Sequence, residues 1–386
     1  MRTLILLFLV FSFSFSFGQK TIYKKYESDE LKDIRDVSIY LPKSYEKDSI
    51  SNFPLAIVLD GHKLFDLYVG TSQFYATMDN APEQIVVGVK MEDSRIKDLG
   101  FNPADSDLTA DSRRFYNFLK YELIPFVEAN YKTSPFLTIA GEGLSANFIT
   151  HFLNEKDPIF NAYLCLNPTL APDVNGRVQT YNLTRLAPID NTFYFYASGN
   201  PFAKEEKVQR TNTFGKFMNS IGVENFNVVF DELKESPNSS SVVSEGMARG
   251  FANIFEAYSG ITQDEYDKNI KELDPPSAIA YLEKKYLDIE FLFGANIGIR
   301  QSDVVAIEDL IIEKENGDYL KDFGKMILNV FPASEMGNYY LGRYYETGND
   351  FKSALEQYRL GYGKMDPSDP NADLFYQNVE RVLGKQ

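Results

Sequence analysis

Leu137-Thr-Ile-Ala-Gly-Glu-Gly-Leu-Ser-Ala-Asn-Phe148 decides how the chain is read. A short apolar, β-prone segment enters a glycine-rich turn, and a helical pattern follows from Ala146 to Leu153. A strand–turn–helix of this kind can hold a nucleophilic serine at the tip of a tight turn flanked by glycines. Here the turn reads Gly141-Glu142-Gly143-Leu144-Ser145-Ala146, and its tip is Gly143.

On either side, strands and helices alternate. Leu55-Ala-Ile-Val-Leu-Asp60 and Gln84-Ile-Val-Val-Gly-Val89 are nearly unbroken apolar runs, the pattern of strands buried on both faces of a parallel sheet. Helical spacing is predicted for Phe65–Met78 and for Asp111–Asn130, the latter with Pro125 as a point of kinking. Asn161–Asn167, Thr192–Ala197 and Phe226–Phe230 read as further strands. Lys204–Ile221 and Ser244–Tyr258 read as helices. Thr21–Tyr26 and Asp36–Leu41 are strands ahead of this series. The pattern predicts an α/β fold with a mostly parallel central sheet.

After Tyr258 the strand signal fades. Helices are expected over Ser277–Tyr286, Ser302–Glu313 and Asp318–Phe331. Leu341-Gly342, Tyr345, Ala354 and Tyr358 have the spacing of one tetratricopeptide-like helix pair, with no clear second copy. The expected organisation is a signal peptide at 1–18, an α/β domain at 19–260 and an all-helical region at 261–386.

Arg2, then the apolar run Leu4–Phe17 broken by Ser12, Ser14 and Ser16, then Gly18 before Gln19, form an export signal. The run is too short and serine-rich for a membrane anchor, and no later stretch reaches the ~18 apolar residues of a span. An exported bacterial protein, periplasmic or secreted, is expected. The single cysteine, Cys165, lies in an apolar run and reads as a small buried hydrophobe. With 55 acidic against 39 basic residues the net charge is −16, which speaks against nucleic acid as a partner.

Several of these stretches together resemble the putative-esterase family of α/β-hydrolases, which includes enterochelin-esterase-like and esterase-D-like proteins. Val37-Ser-Ile-Tyr-Leu-Pro-Lys-Ser-Tyr45 resembles its opening strand. Phe53–Gly61 resembles the strand that leads to the oxyanion-hole loop, and Ile85–Val89 with Arg95 and Asp98-Leu99 resembles the next core strand and its loop. Phe115–Tyr131 resembles the long helix before the nucleophile strand. The resemblance spans about residues 30–258 and implies the fold more specifically than the activity.

The chemistry it implies needs a serine nucleophile, a histidine base and a carboxylate that orients the base. The serine position aligns with Gly143, the histidine position with Ser239 in Glu235-Ser-Pro-Asn-Ser-Ser-Ser-Val242, and the carboxylate position with Asn200. Neither Ser239 nor Asn238 is a base near neutral pH. The chain has two histidines, His62 and His151. His62 is expected in the loop after Asp60-Gly61 at the pocket mouth, and His151 as an ordinary helix side chain.

Two functional readings stand beside each other. In one, the triad is absent and the protein binds a small-molecule ligand or an envelope protein or peptide, through a pocket that includes Asp60, Gly61, His62, Glu142 and Leu144. In the other, Ser145 is a shifted catalytic nucleophile of a working carboxylic-ester hydrolase. A third reading gives the binding to the C-terminal helices. No cofactor or metal is expected; Asp366–Asp373 is acidic but lacks the glycine and terminal glutamate of a calcium loop.

Overall fold

The computed structural model describes residues 20–385 apart from 48–50, 179–182, 190, 295–296, 316, 367 and 370. The proposed signal peptide therefore lies outside the described residues. Strands β1 (Lys20–Ser28) and β2 (Asp33–Leu41) form an antiparallel hairpin. The series continues with β3 (Phe53–Val58), α1 (Gly61–Thr77), β4 (Ile85–Val89) and the single turn α2 (Arg95–Asp98). α3 (Ala110–Asn117) runs through a π-helical segment, Phe118–Leu123, into α4 (Ile124–Asn130). The expected kink is thus a widened turn, because Pro125 has no amide hydrogen to offer the preceding turn.

β5 (Thr133–Glu142), α5 (Leu144–Ile149) with its 3₁₀ extension Thr150–Asn154, β6 (Ala162–Leu166) and α6 (Val174–Arg177) come next. β7 (Phe193–Gly199), α7 (Glu205–Asn219), β8 (Phe226–Glu232) and α8 (Ser239–Ile254) complete the α/β layer. The eight strands lie in the order β1-β2-β4-β3-β5-β6-β7-β8. β2 is antiparallel to β4, and pairing from β4 through β8 is parallel.

Because successive side chains point to opposite faces, the apolar strands feed two cores. Ile57, Val87, Ile139, Tyr163 and Phe195 pack on one face with Phe115, Phe148 and Phe214. Val58, Val86, Ala140, Leu164 and Tyr196 pack on the other with Tyr68 and Phe251. Every residue of β3, β4 and β6 is buried, which is why these strands read as continuous apolar runs.

The C-terminal region is helical: α9 (Gln263–Glu265), α10 (Pro275–Phe293), α11 (Gln301–Glu315), α12 (Leu320–Val330), α13 (Met336–Thr347), α14 (Phe351–Tyr362) and α15 (Ala372–Leu383). Asp274 caps α10 by accepting the Ser277 amide at 2.9 Å. In the α13–α14 pair, a Cβ on Gly342 would stand 2.5 Å from the Tyr358 ring, so the small residue lets the two helices close.

Region 261–386 is not docked loosely. Ile289 and Phe293, at the end of α10, belong to the second core of the α/β layer. The Phe293 ring lies 4.8 Å from that of Phe136, 5.7 Å from Phe255 and 5.9 Å from Tyr258. Arg300 reaches back to the Asp79 carboxylate, with a 3.2 Å bond from Nη2 to Oδ1, and lies over the Tyr258 ring. No described helix is long and apolar enough to cross a membrane.

Candidate functional site at the glycine elbow

β5 ends at Glu142 and α5 starts at Leu144, so Gly143 alone makes the turn, with φ 66° and ψ −113°. Side-chain-bearing residues rarely adopt that backbone, and glycine adopts it without steric cost. The Gly143 amide donates to Leu166 O at 3.0 Å, and its carbonyl accepts from Thr169 N at 2.9 Å and Asn147 N at 3.2 Å. Both neighbours of the elbow, β6 and α5, thus hold it in place. A Cβ built on Gly143 would lie 3.5 Å from Arg95 Nη2 and 3.8 Å from Thr169 Oγ1, which is ordinary contact.

Over the elbow lies Arg95, from α2. Its Nε donates to Asp60 Oδ1 at 2.6 Å and its Nη2 to Asp60 Oδ2 at 3.0 Å, a two-point pair. Nη2 also donates to Glu142 O at 2.9 Å. The Asp60 hydrogen bonds raise the Arg95 pKa above its ordinary value, with burial opposing. Asp60 is wholly buried and sits in the left-handed region, φ 54° and ψ 38°.

Ser145 is buried on the inner side of this pair. Its hydroxyl donates to Asp60 Oδ2 at 2.7 Å, and its oxygen accepts the Glu142 amide at 2.8 Å. The Ser145 proton therefore rests on a carboxylate already shared with an arginine. Glu142 extends the network by accepting from Asn167 Nδ2 at 3.1 Å through Oε1. Leu144 packs partly buried against the first core.

His62 is not in a loop. The left-handed turn at Asp60 sends the chain straight into α1 at Gly61, so His62 stands in a helix's first turn. Its Nδ1 is buried with no hydrogen-bond partner. No hydrogen bond joins it to Arg95, Ser145 or Gly143. His151 stands in the 3₁₀ segment after α5 and is buried. Burial, then Arg177 and Arg113, push its pKa down to about 2, which leaves it a very weak base.

Two aligned positions meet each other. Asn200, just past β7, donates from Nδ2 to Ser239 Oγ at 3.2 Å. Ser239 opens α8, which starts five residues before the expected Ser244, so it lies in a helix rather than in a polar loop. The reason is Asn238, which caps the helix by accepting the Ser241 amide at 2.9 Å.

Asn167 and Thr169 escaped the sequence reading. Asn167 follows strand β6 with φ 44°, a position asparagine tolerates better than most residues, and that was its only signal. Arg95 and Asp60 were visible separately, but not as a pair. In the acidic C-terminal loop, Asp366 Oδ1 accepts the Ser368 amide at 2.8 Å and Asp369 Oδ1 the Asn371 amide at 2.8 Å, so these carboxylates brace the turn. Cys165 is buried, and burial pushes its thiol pKa well up.

Residues 28–210 match the family model described as putative esterase. Among solved structures, an uncharacterised protein from Capnocytophaga ochracea is 22% identical with a TM-score of 0.79, over 95% of this chain and 100% of that one. An IroE-like serine hydrolase from Shewanella oneidensis is 20% identical with a TM-score of 0.58, over 81% of this chain and 98% of that one. The BES protein from Bacillus cereus is 20% identical with a TM-score of 0.53, over 61% of this chain and 96% of that one. At these identities the likeness shows the fold. No curated protein matches the chain.

Proposed function

Since the α/β part of this chain belongs to the putative-esterase family of α/β-hydrolases, we propose that it has kept the elbow and given up acyl transfer. The exported protein acts by binding a small molecule or an envelope protein or peptide. One observation carries this reading: the tip of the elbow is Gly143, in a backbone conformation at φ 66° that turns the strand into the helix but offers no atom to attack with. Ser145 is a poor substitute, because its hydroxyl is buried and donates to Asp60. Ser239 and Asn200, at the positions of base and acid, bond to each other and supply neither a proton acceptor near neutral pH nor a carboxylate. Nucleophile and base act as a unit, so losing both removes most of the rate.

The test is turnover of short p-nitrophenyl esters by residues 19–386, beside Ser145→Ala. Both proteins should match the buffer blank. Robust hydrolysis abolished by Ser145→Ala would replace this reading with that of a working esterase.

One observation favours placing the binding on the C-terminal helices. A cleft of about 900 Å³ opens between α11, α13 and α15, lined by Phe331, Met336, Tyr339, Leu374 and Phe375 among others. Leu374 is 59% exposed. If an envelope protein or peptide docks there, beside the tetratricopeptide-like pair, Leu374→Glu should abolish its capture by the full chain. Unchanged capture would return the binding to the α/β layer.

A further inference from the structure

Asn147, Thr150 and His151 follow the elbow at positions i, i+3 and i+4, so they share one side of the segment that leaves it. Arg177, at the end of α6, lies across that side, and its Nη2 donates to Thr150 Oγ1 at 2.6 Å. The Ala171 amide donates to Asn147 Oδ1 at 2.8 Å and fixes the amide's orientation. On these same residues, Asn147 Nδ2, Arg177 Nε, Arg177 Nη1 and His151 Nε2 are each buried with no partner. Asn147 is wholly buried, and the His151 side chain is 4% exposed.

Most buried side-chain polar atoms are paired. Asn147 Nδ2 and the two Arg177 nitrogens are N–H donors, since an arginine has no acceptor and the Asn147 oxygen is already used, while Nε2 of the neutral His151 donates or accepts according to its tautomer. The nearby carboxylates do not answer them. Asp107 pairs with Arg113 at 3.0 Å and stands 3.7 Å from His151 Nδ1, and its side chain is 52% exposed. Asp173 is exposed. Neither carboxylate accepts a hydrogen bond from the Arg177 guanidinium, although both act on it through space; Asp173 takes the Arg177 amide on its backbone oxygen at 3.1 Å. Burial lowers the Arg177 pKa to about 10 against their pull, as befits a cation without a close counter-charge.

We infer that Arg177 and Asn147, walled by His151, bind a small monoanion of halide size between α5 and α6. A metal cation does not suit a set led by the Arg177 guanidinium and the Asn147 N–H. A large organic anion does not suit atoms that are closed to solvent. The bound ion would tie the far end of the elbow helix to the segment 171–178.

Two measurements on the full chain test this. Thermal midpoints are compared in sodium chloride and in sodium gluconate at one ionic strength, for the wild type and Arg177→Gln. At ten times its dissociation constant, chloride should raise the wild-type midpoint by about 2 °C and leave that of Arg177→Gln unmoved. Separately, crystals of the wild type soaked in bromide should show anomalous density within hydrogen-bonding reach of Arg177 Nε and Asn147 Nδ2. Equal wild-type midpoints in the two salts, or water alone at that place in the bromide crystal, would overturn the inference. The crystal decides even if Arg177→Gln does not fold.

Discussion

Gly143 and Asp60 face opposite consequences of substitution. At Gly143 there is room for a side chain but not an easy backbone, since φ is 66° and the nearest atom to a new Cβ is 3.5 Å away. Gly143→Ala should therefore destabilise the fold by about 1–3 kcal/mol through backbone strain alone. Urea denaturation reads this directly, and an unchanged midpoint would show that the elbow relaxes. Asp60 has no room to lose its charge, because Arg95 and Ser145 both depend on its buried carboxylate. Asp60→Asn removes the anion and strands the guanidinium, at about 3–5 kcal/mol. A loss below ~1 kcal/mol in the same urea titration would mean that the pair is solvated. The two measurements separate strain from electrostatics at one turn.

Among the elements, the α13–α14–α15 set is held by a carboxylate as well as by packing. Glu346, near the end of α13, accepts from Arg381 Nη2 at 2.7 Å, Lys385 Nζ at 3.0 Å and Tyr358 Oη at 3.0 Å. The Arg381 hydrogen bond foremost lowers the Glu346 pKa from 4.5 to about 2. A carboxylate with a lowered folded-state pKa stabilises the fold fully above its unfolded value and loses that contribution as pH falls through the folded one. The gap in urea midpoint between wild type and Glu346→Gln should hold steady above about pH 4.5 and close toward pH 2. A gap that is flat down to pH 2 would show that Glu346 contributes nothing as an anion.

Elements of this kind were legible where periodicity is strong. The buried strands β3, β4 and β6 announce themselves by unbroken apolar runs, and β5 with its glycine turn by composition. The start of α8 was not legible, because Asn238-Ser-Ser-Ser241 reads equally as a polar loop or as a capped first turn. The helical placement of His62 was hidden as well, since it depends on Asp60 adopting a left-handed turn. At the site, the glycine tip of the turn could be read from its position, whereas the assignment of Asn200 and Ser239 rests on the resemblance alone. The Arg95–Asp60 pair could not, because it joins residues 35 apart in sequence.

On the scale of the whole molecule, the change of texture after Tyr258 marks where strands stop but not where packing stops. Phe293 fills the second core of the α/β layer against Phe136, Phe255 and Tyr258. Phe293→Ala should cost about 3–5 kcal/mol. Sheet and helices should melt together in one calorimetric transition in the wild type. Two well-separated wild-type transitions would mean that the regions are thermodynamically independent despite the shared core.

That shared aromatic corner also sets a clock on folding. The last helix of the α/β layer ends at Ile254, whereas the residue that seals its outer face is Phe293. At 5–20 residues per second, synthesis of the intervening chain takes roughly 2–8 s. Over that interval the nascent layer exposes Phe136 and Phe255 and cannot complete its core. Such a delay leaves the α/β layer short of its final packing until Phe293 arrives.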